Sequence, residues 1–222
     1  MSPLVLEAPP RERENGVRLP PPPPPPRDDD RDPREPARRP APDNAWLAMM
    51  FFLAAETMFF AGLISAFFVL RLAAPVWPPP LQPRLPILVT GLNTLVLLTS
   101  SVAMIGALRA GRRAEGRALV ERLAAAAGLG ALFLAVQGYE WARLIQYGLT
   151  VTSGAYGATF YTLIGVHAAH VFGALVWLSV TLLLAAHGRF ADGRLTRLRA
   201  CATYWHFVVG LWPILYVTVY LT

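Results

Sequence analysis

The sequence predicts an all-α membrane protein, a bundle of five transmembrane helices. Three observations predict it. Of the 222 residues, 55% are hydrophobic and only 15% charged, where a soluble domain carries roughly 25% charged residues. From Trp46 onward, apolar runs recur at lengths that suit a helix crossing lipid, which needs about 20 apolar residues. The breaks between those runs are short and rich in proline, glycine or arginine, residues that stop a helix or anchor its end.

The chain divides at about residue 44. Fourteen of the 21 prolines lie in residues 1–44, seven of them consecutive from Pro20 to Pro26, ahead of the charged run Arg27-Asp28-Asp29-Asp30-Arg31-Asp32. Polyproline is extended and has no internal hydrogen bonds, and mixed charge cannot bury a core. A disordered tail is therefore expected, open to a proline-recognition partner. No apolar stretch followed by a small-residue cleavage site precedes it, so no signal peptide is expected.

Residues 45–222 hold the spans. The first, about 46–70, contains a single charge, Glu56, and ends against Pro75-Val76-Trp77-Pro78-Pro79-Pro80, which cannot be helical. The second, about 85–108, has no charge. The third, about 118–141, has an uncharged centre from Leu123 to Tyr139. The fourth, about 156–186, exceeds what a span needs and is expected to tilt or protrude. The fifth, about 200–221, contains Pro213, which is expected to kink it or free a carbonyl.

Arginine sets the orientation. Arg109, Arg112, Arg113, Arg117 and Arg122 follow the second span, and Arg189, Arg194, Arg197 and Arg199 precede the fifth. The other side has only Arg71, Arg84 and Arg143. By the positive-inside rule the N-terminus is cytoplasmic and the C-terminus outside. The formal charge of +6 is carried entirely by arginines that flank the apolar runs, so it points to membrane anchoring rather than nucleic acid. Trp46, Trp77, Trp141 and Trp212 fall near span ends; Trp177 and Trp205 are expected at depth.

Ionisable groups inside lipid are costly and few. Glu56 falls near the middle of the first span, where an unpaired charge costs several kcal/mol and the neutral acid is favoured. It reads either as a proton-handling or lipid-contacting carboxyl, or as a protonated carboxyl bonded to another helix. His167 and His170 share a face of the fourth span, which Gly173 continues as a close-packing position. His206 lies in the fifth. Gln137, Glu140 and Arg143 are three apart near the end of the third, and Glu140–Arg143 reads most simply as an ion pair at the membrane surface. The histidines read as hydrogen-bonded packing groups. A membrane di-haem protein needs four histidines, and three lie within spans here.

Other chemistry lacks its residues. Cys201 is the single cysteine, which excludes an intrachain disulfide and a binuclear copper site. No phosphate loop, nucleophile elbow or paired catalytic carboxylates occur. The residues alone give a five-helix membrane subunit without evident catalytic groups.

Five motifs in order resemble one family. Glu56-Thr57-Met58-Phe59-Phe60-Ala61-Gly62, continuing to Leu70-Arg71, is similar to the "SE-x-MFFAG…F…LR" helix of cytochrome c oxidase subunit III. Gln137-Gly138-Tyr139-Glu140-Trp141 resembles its "Q-x-x-E-aromatic" helix end. Gly154-Ala155-Tyr156-Gly157 through Phe160-Tyr161 is similar to "GxYGxxFF". Gly165-Val166-His167-Ala168-Ala169-His170-Val171 resembles "G-F-H-G-x-H-V". Tyr204-Trp205-His206-Phe207-Val208, with Trp212, resembles "YWHFV…W…Y". The match is to the five-helix bacterial form. It departs at Val209, where the family commonly has Asp, so any role of that carboxylate does not transfer.

The resemblance implies a non-catalytic subunit III of a proton-pumping haem–copper terminal oxidase, multi-pass in the bacterial inner membrane. Its partners are then subunit I, by direct docking, and subunit II, with haem and copper in partner subunits and none in this chain. Phospholipid is held between the helices, and the chain supports complex stability and proton uptake by subunit I. Glu56 is then the carbodiimide-reactive or proton-path carboxyl. Gln137, Glu140, His167, His170, His206 and Arg71 are polar or lipid-contact positions. A quinol oxidase subunit III and the subunit III-like protein of nitric oxide reductases remain alternatives, as does, from another class, the haem-bearing membrane anchor of a dehydrogenase. A small transporter would need an inverted repeat, which is absent.

Overall fold

The computed structural model describes residues 44–80, 82–83, 85–188 and 195–221. Residues 1–43 of the expected tail, with Arg84, Arg189 and Arg194, lie outside the described residues, and Asn44 begins the first helix. Five helices follow in order: α1 (Asn44–Ala73), α2 (Ile87–Arg112), α3 (Gly116–Gln146), α4 (Gly154–Ala186) and α5 (Leu195–Tyr216). Each carries a stretch long and apolar enough to cross a membrane, and no strand occurs among the described residues. The chain is a multi-pass helical membrane protein. Long helices suit this solvent because they satisfy every backbone group internally, where lipid offers none a partner.

Helix ends supply the missing hydrogen bonds from the backbone itself. At the end of α3, Leu149 N–H donates to Leu144 O and Gly148 N–H to Ile145 O, both at 3.0 Å, with Gly148 at φ +88°. The same 6→1 and 5→2 pattern closes α2: Glu115 N–H donates to Ala110 O at 3.0 Å and Ala114 N–H to Gly111 O at 3.3 Å. There the left-handed position is Ala114, at φ +56°. Its Cβ pays a steric cost that glycine avoids.

α2, α3, α4 and α5 form a closed ring in which each packs against the next and α5 returns to α2. α1 lies outside the ring, against α4 and α5. Phe67 of α1 meets Trp77 edge-on at 5.8 Å, and Trp77 meets Tyr156 of α4 at 5.1 Å, so the proline-rich connection is wedged between α1 and α4. The opposite face of α1, with Phe51, Met58, Val69 and Leu72, is exposed.

Lipid is as apolar as leucine, so close packing and hydrogen bonds between helices replace the hydrophobic drive. The α2–α5 seam shows both. Trp205 Nε1–H donates to Ser100 Oγ at 3.2 Å, Trp212 Nε1–H to Thr94 Oγ1 at 2.9 Å, and Tyr216 O–H to Ile87 O at 2.9 Å. These rungs step in opposite directions along the two helices, as antiparallel neighbours require. Both Trp205 and Trp212 are fully buried. Trp212 therefore packs inside the ring even though it falls toward a span end.

One sequence expectation changes here. Gly173 has nothing within 4 Å of where a Cβ would stand. Close-packed glycines include Gly130, against Trp205, Gly111, against Leu198, and Gly157, whose Cβ position is filled by the carbonyl of Thr150. Pro213 sits inside α5, and the helix loosens into a π-helical turn over Val217–Leu221. Pro213 has no N–H to donate to the preceding turn of α5.

Candidate functional site

The centre of the α1–α4 contact is the approach of Glu56 to His170, Oε2 to Nε2, at 2.9 Å. Both side chains are largely buried. The N···O line departs from the angles of a directional hydrogen bond, so the contact is a pairing of charge or proton rather than an ideal bond. The other ring nitrogen of His170, Nδ1, lies 2.7 Å from Val166 O. A carbonyl only accepts, so Nδ1 must carry a proton. Neutral His170 then turns a lone pair toward the Glu56 carboxyl. A polar partner of this kind is what makes a carboxyl tolerable among apolar helices.

Aromatic rings close over the pair. Phe60 meets His170 edge-on at 5.1 Å and His167 at 6.3 Å. His167 is fully buried and stacks on Trp212 with centroids 5.1 Å apart. Neither of its ring nitrogens has a hydrogen-bond partner. His167 is thus a packing histidine, but not a hydrogen-bonded one. His206 instead bonds across to α2, its Nδ1 lying 2.5 Å from Ser101 Oγ.

A second polar group gathers between α2, α3 and the π turn. Gln137 Nε2–H donates to Tyr220 Oη at 3.2 Å. Asn93 Nδ2–H donates to Phe133 O at 3.1 Å. Glu140 is buried one turn beyond Gln137. Its expected ion pair with Arg143 is not what forms. Arg143 points outward, donates to Tyr147 Oη at 3.2 Å and lies over the rings of Tyr139 and Tyr147 at 5.9 and 5.7 Å. The two residues face different ways: Glu140 into the bundle, Arg143 out of it. Arg71, near the end of α1, has a buried Nη1 without a partner.

The structure thus brings Glu56, His170 and His167 together beside Phe60, while His206 bonds to Ser101 on α2 and Gln137 to Tyr220. Sequence reasoning missed the partners on α2. The signal was present: Thr90, Asn93, Thr94, Ser100 and Ser101 recur at helical spacing on a helix otherwise apolar. Among the described residues, no three His, Cys, Asp or Glu gather as metal ligands.

Fold and site define a class: a polytopic helical membrane protein whose interior polar residues join helix to helix. The comparisons make it specific. The family model for cytochrome c oxidase subunit III matches residues 43–222. A cytochrome c oxidase subunit 3 of Synechocystis is 35% identical over 181 residues, 81% of this chain and 76% of the relative. The Bacillus subtilis subunit is 31% identical over 179 residues, 80% of this chain and 86% of the relative. That of Sus scrofa is 32% identical, across 78% of this chain and 67% of the relative. The chain belongs to the cytochrome c oxidase subunit III family.

Proposed function

We propose that this chain is the non-catalytic subunit III of a proton-pumping haem–copper oxidase that reduces oxygen to water in aerobic respiration. It docks on subunit I, alongside subunit II, in the bacterial inner membrane, with its N-terminus and arginine-rich loops on the cytoplasmic side. Haem and copper belong to the partner subunits, and this chain contributes packing, lipid contact and support for proton uptake. Electrons then come from cytochrome c.

The observation that carries this reading is the Glu56–His170 pair. It is a polar contact that ties α1 to α4 of the ring. Glu56 is then the carbodiimide-reactive carboxyl that the family resemblance implies. Exposed apolar faces on α1 and α2 suit a neighbouring membrane subunit and lipid.

Co-purification in mild detergent tests the reading. The tagged chain is expected to bring with it a haem-bearing subunit and a copper-bearing one. Recovery of the chain with only a nitric oxide reductase or a dehydrogenase would overturn it. The quinol alternative makes the opposite prediction for the copper-bearing partner: an oxidase without one.

A further inference from the structure

Taking the chain as one subunit of a membrane complex, we infer that a groove between α1 and α5 seats a transmembrane helix of a neighbouring subunit. That helix presents a hydroxyl or carboxamide side chain to His206 at mid-membrane. The groove has a volume of about 410 Å³ and is lined by Thr57, Ala61 and Ile64 on α1 and by His206, Gly210 and Ile214 on α5. These positions recur at i, i+4, i+7 on one wall and i, i+4, i+8 on the other, so the groove follows both helix axes. Eight residues of α5 rise about 12 Å, a little over two turns. A long apolar groove of this form receives the face of another helix. Gly210 is exposed, with nothing within 4 Å of where a Cβ would stand, and a wall so low lets a foreign backbone come close.

The chemistry of the occupant follows from the imidazole. His206 Nδ1 meets Ser101 Oγ of α2 at 2.5 Å, and among the described residues Ser101 is the hydrogen-bond partner of this ring. Its Nε2 is left over. It is not sealed in the interior, as both nitrogens of His167 are. The half-buried ring therefore turns an unspent nitrogen to an opening that is otherwise almost wholly apolar. The Ser101 hydroxyl can donate to Nδ1 or accept from it, so Nε2 is either a donor or an acceptor. A hydroxyl or carboxamide meets both cases.

Depth separates a helix from a lipid tail. His206 is two residues from Val208, the midpoint of the span Leu195–Leu221, which is about 3 Å along the axis. The polar groups of a phospholipid begin at the edge of the hydrocarbon, about 15 Å from its middle. An acyl chain in the groove would leave Nε2 facing hydrocarbon, which offers it no partner. A neighbouring helix can carry a polar side chain at any depth, and such residues join helices in lipid.

Photo-cross-linking of the full chain in its complex, in native membranes, tests the assignment. A benzophenone side chain replaces Gly210, and a control replaces Leu88 on the exposed face of α2. Position 210 is expected to join a span of another subunit within one turn of a Ser, Thr, Asn or Gln. His206→Leu should lower that yield about fivefold, the worth of one hydrogen bond, and leave the control unchanged. His206→Gln, which restores a donor and an acceptor, should recover most of it. Adducts to lipid alone, to a second copy of this chain or to a small lipid-soluble molecule would overturn the assignment, as would a yield indifferent to His206. Haem- and copper-bearing subunits that co-purify without a cross-link from position 210 sink the groove assignment and leave the subunit reading standing. A cross-link of the expected kind to a membrane protein outside any oxidase does the reverse.

Discussion

Gly130 of α3 and the indole of Trp205 on α5 share one small volume. A Cβ at position 130 would stand 2.5 Å from Trp205 Cη2 and 2.9 Å from Cζ2. The indole is also pinned from the other side, its Nε1–H donating to Ser100 Oγ, so it has little room to retreat. Glycine here is a packing requirement of the ring, of the kind that membrane helices use for close approach.

Gly130→Ala is therefore expected to destabilise the bundle by about 1–3 kcal/mol, the usual cost of overpacking. Thermal unfolding in detergent, followed by helical circular dichroism, measures it. An unchanged midpoint would mean that Trp205 moves freely.

Trp212→Phe keeps the ring beside Phe133 and His167 but removes the donor to Thr94. The loss should be about 0.5–1.5 kcal/mol, the net worth of one hydrogen bond. A double-mutant cycle with Thr94→Val should show positive coupling between the two positions, because either change alone breaks the same bond. Additive losses would show that the bond contributes nothing.

Ala114→Gly should stabilise the α2–α3 turn. Ala114 occupies the left-handed position that Gly148 fills at the end of α3, and a Cβ there costs about 1–2 kcal/mol. Glycine gives part of that back through a more flexible unfolded chain. A net gain of about 0.5–1 kcal/mol is expected in the same unfolding assay.

Glu56→Gln should be tolerated in assembly and lose carbodiimide labelling. A glutamine amide N–H can still donate to His170 Nε2, so the α1–α4 contact keeps its donor and acceptor. His170→Phe leaves the carboxyl without its partner and should weaken the hold of α1 on α4, seen as faster proteolysis or loss of α1 cross-links. Labelling that persists in the glutamine variant would show that another carboxyl reacts.

The fold was legible because lipid imposes one rule along the whole chain: apolar length gives helices, and proline, glycine and arginine give the breaks. The site was legible only in part. Glu56, His167 and His170 stand out as polar residues in apolar runs. Which of them meet is decided by how α1 sits on α4, and spacing within one helix carries no such information. The same limit explains Glu140 and Arg143. Three residues apart, they suggested a pair, but the burial of one and the exposure of the other follow from the tertiary face of α3. The α2 partners Thr94, Ser100 and Ser101 were passed over because serine and threonine in a membrane helix also bond their own backbone, as Thr94 does to Thr90 O at 2.8 Å.

The account rests on the buried polar residues of this chain joining helices and holding no electron carrier. Haem and copper analysis of the purified complex, with and without this chain, tests that most directly. The account predicts equal haem and copper per subunit I in both preparations, with none in the isolated chain. Stoichiometric haem or copper bound to the isolated chain would contradict it.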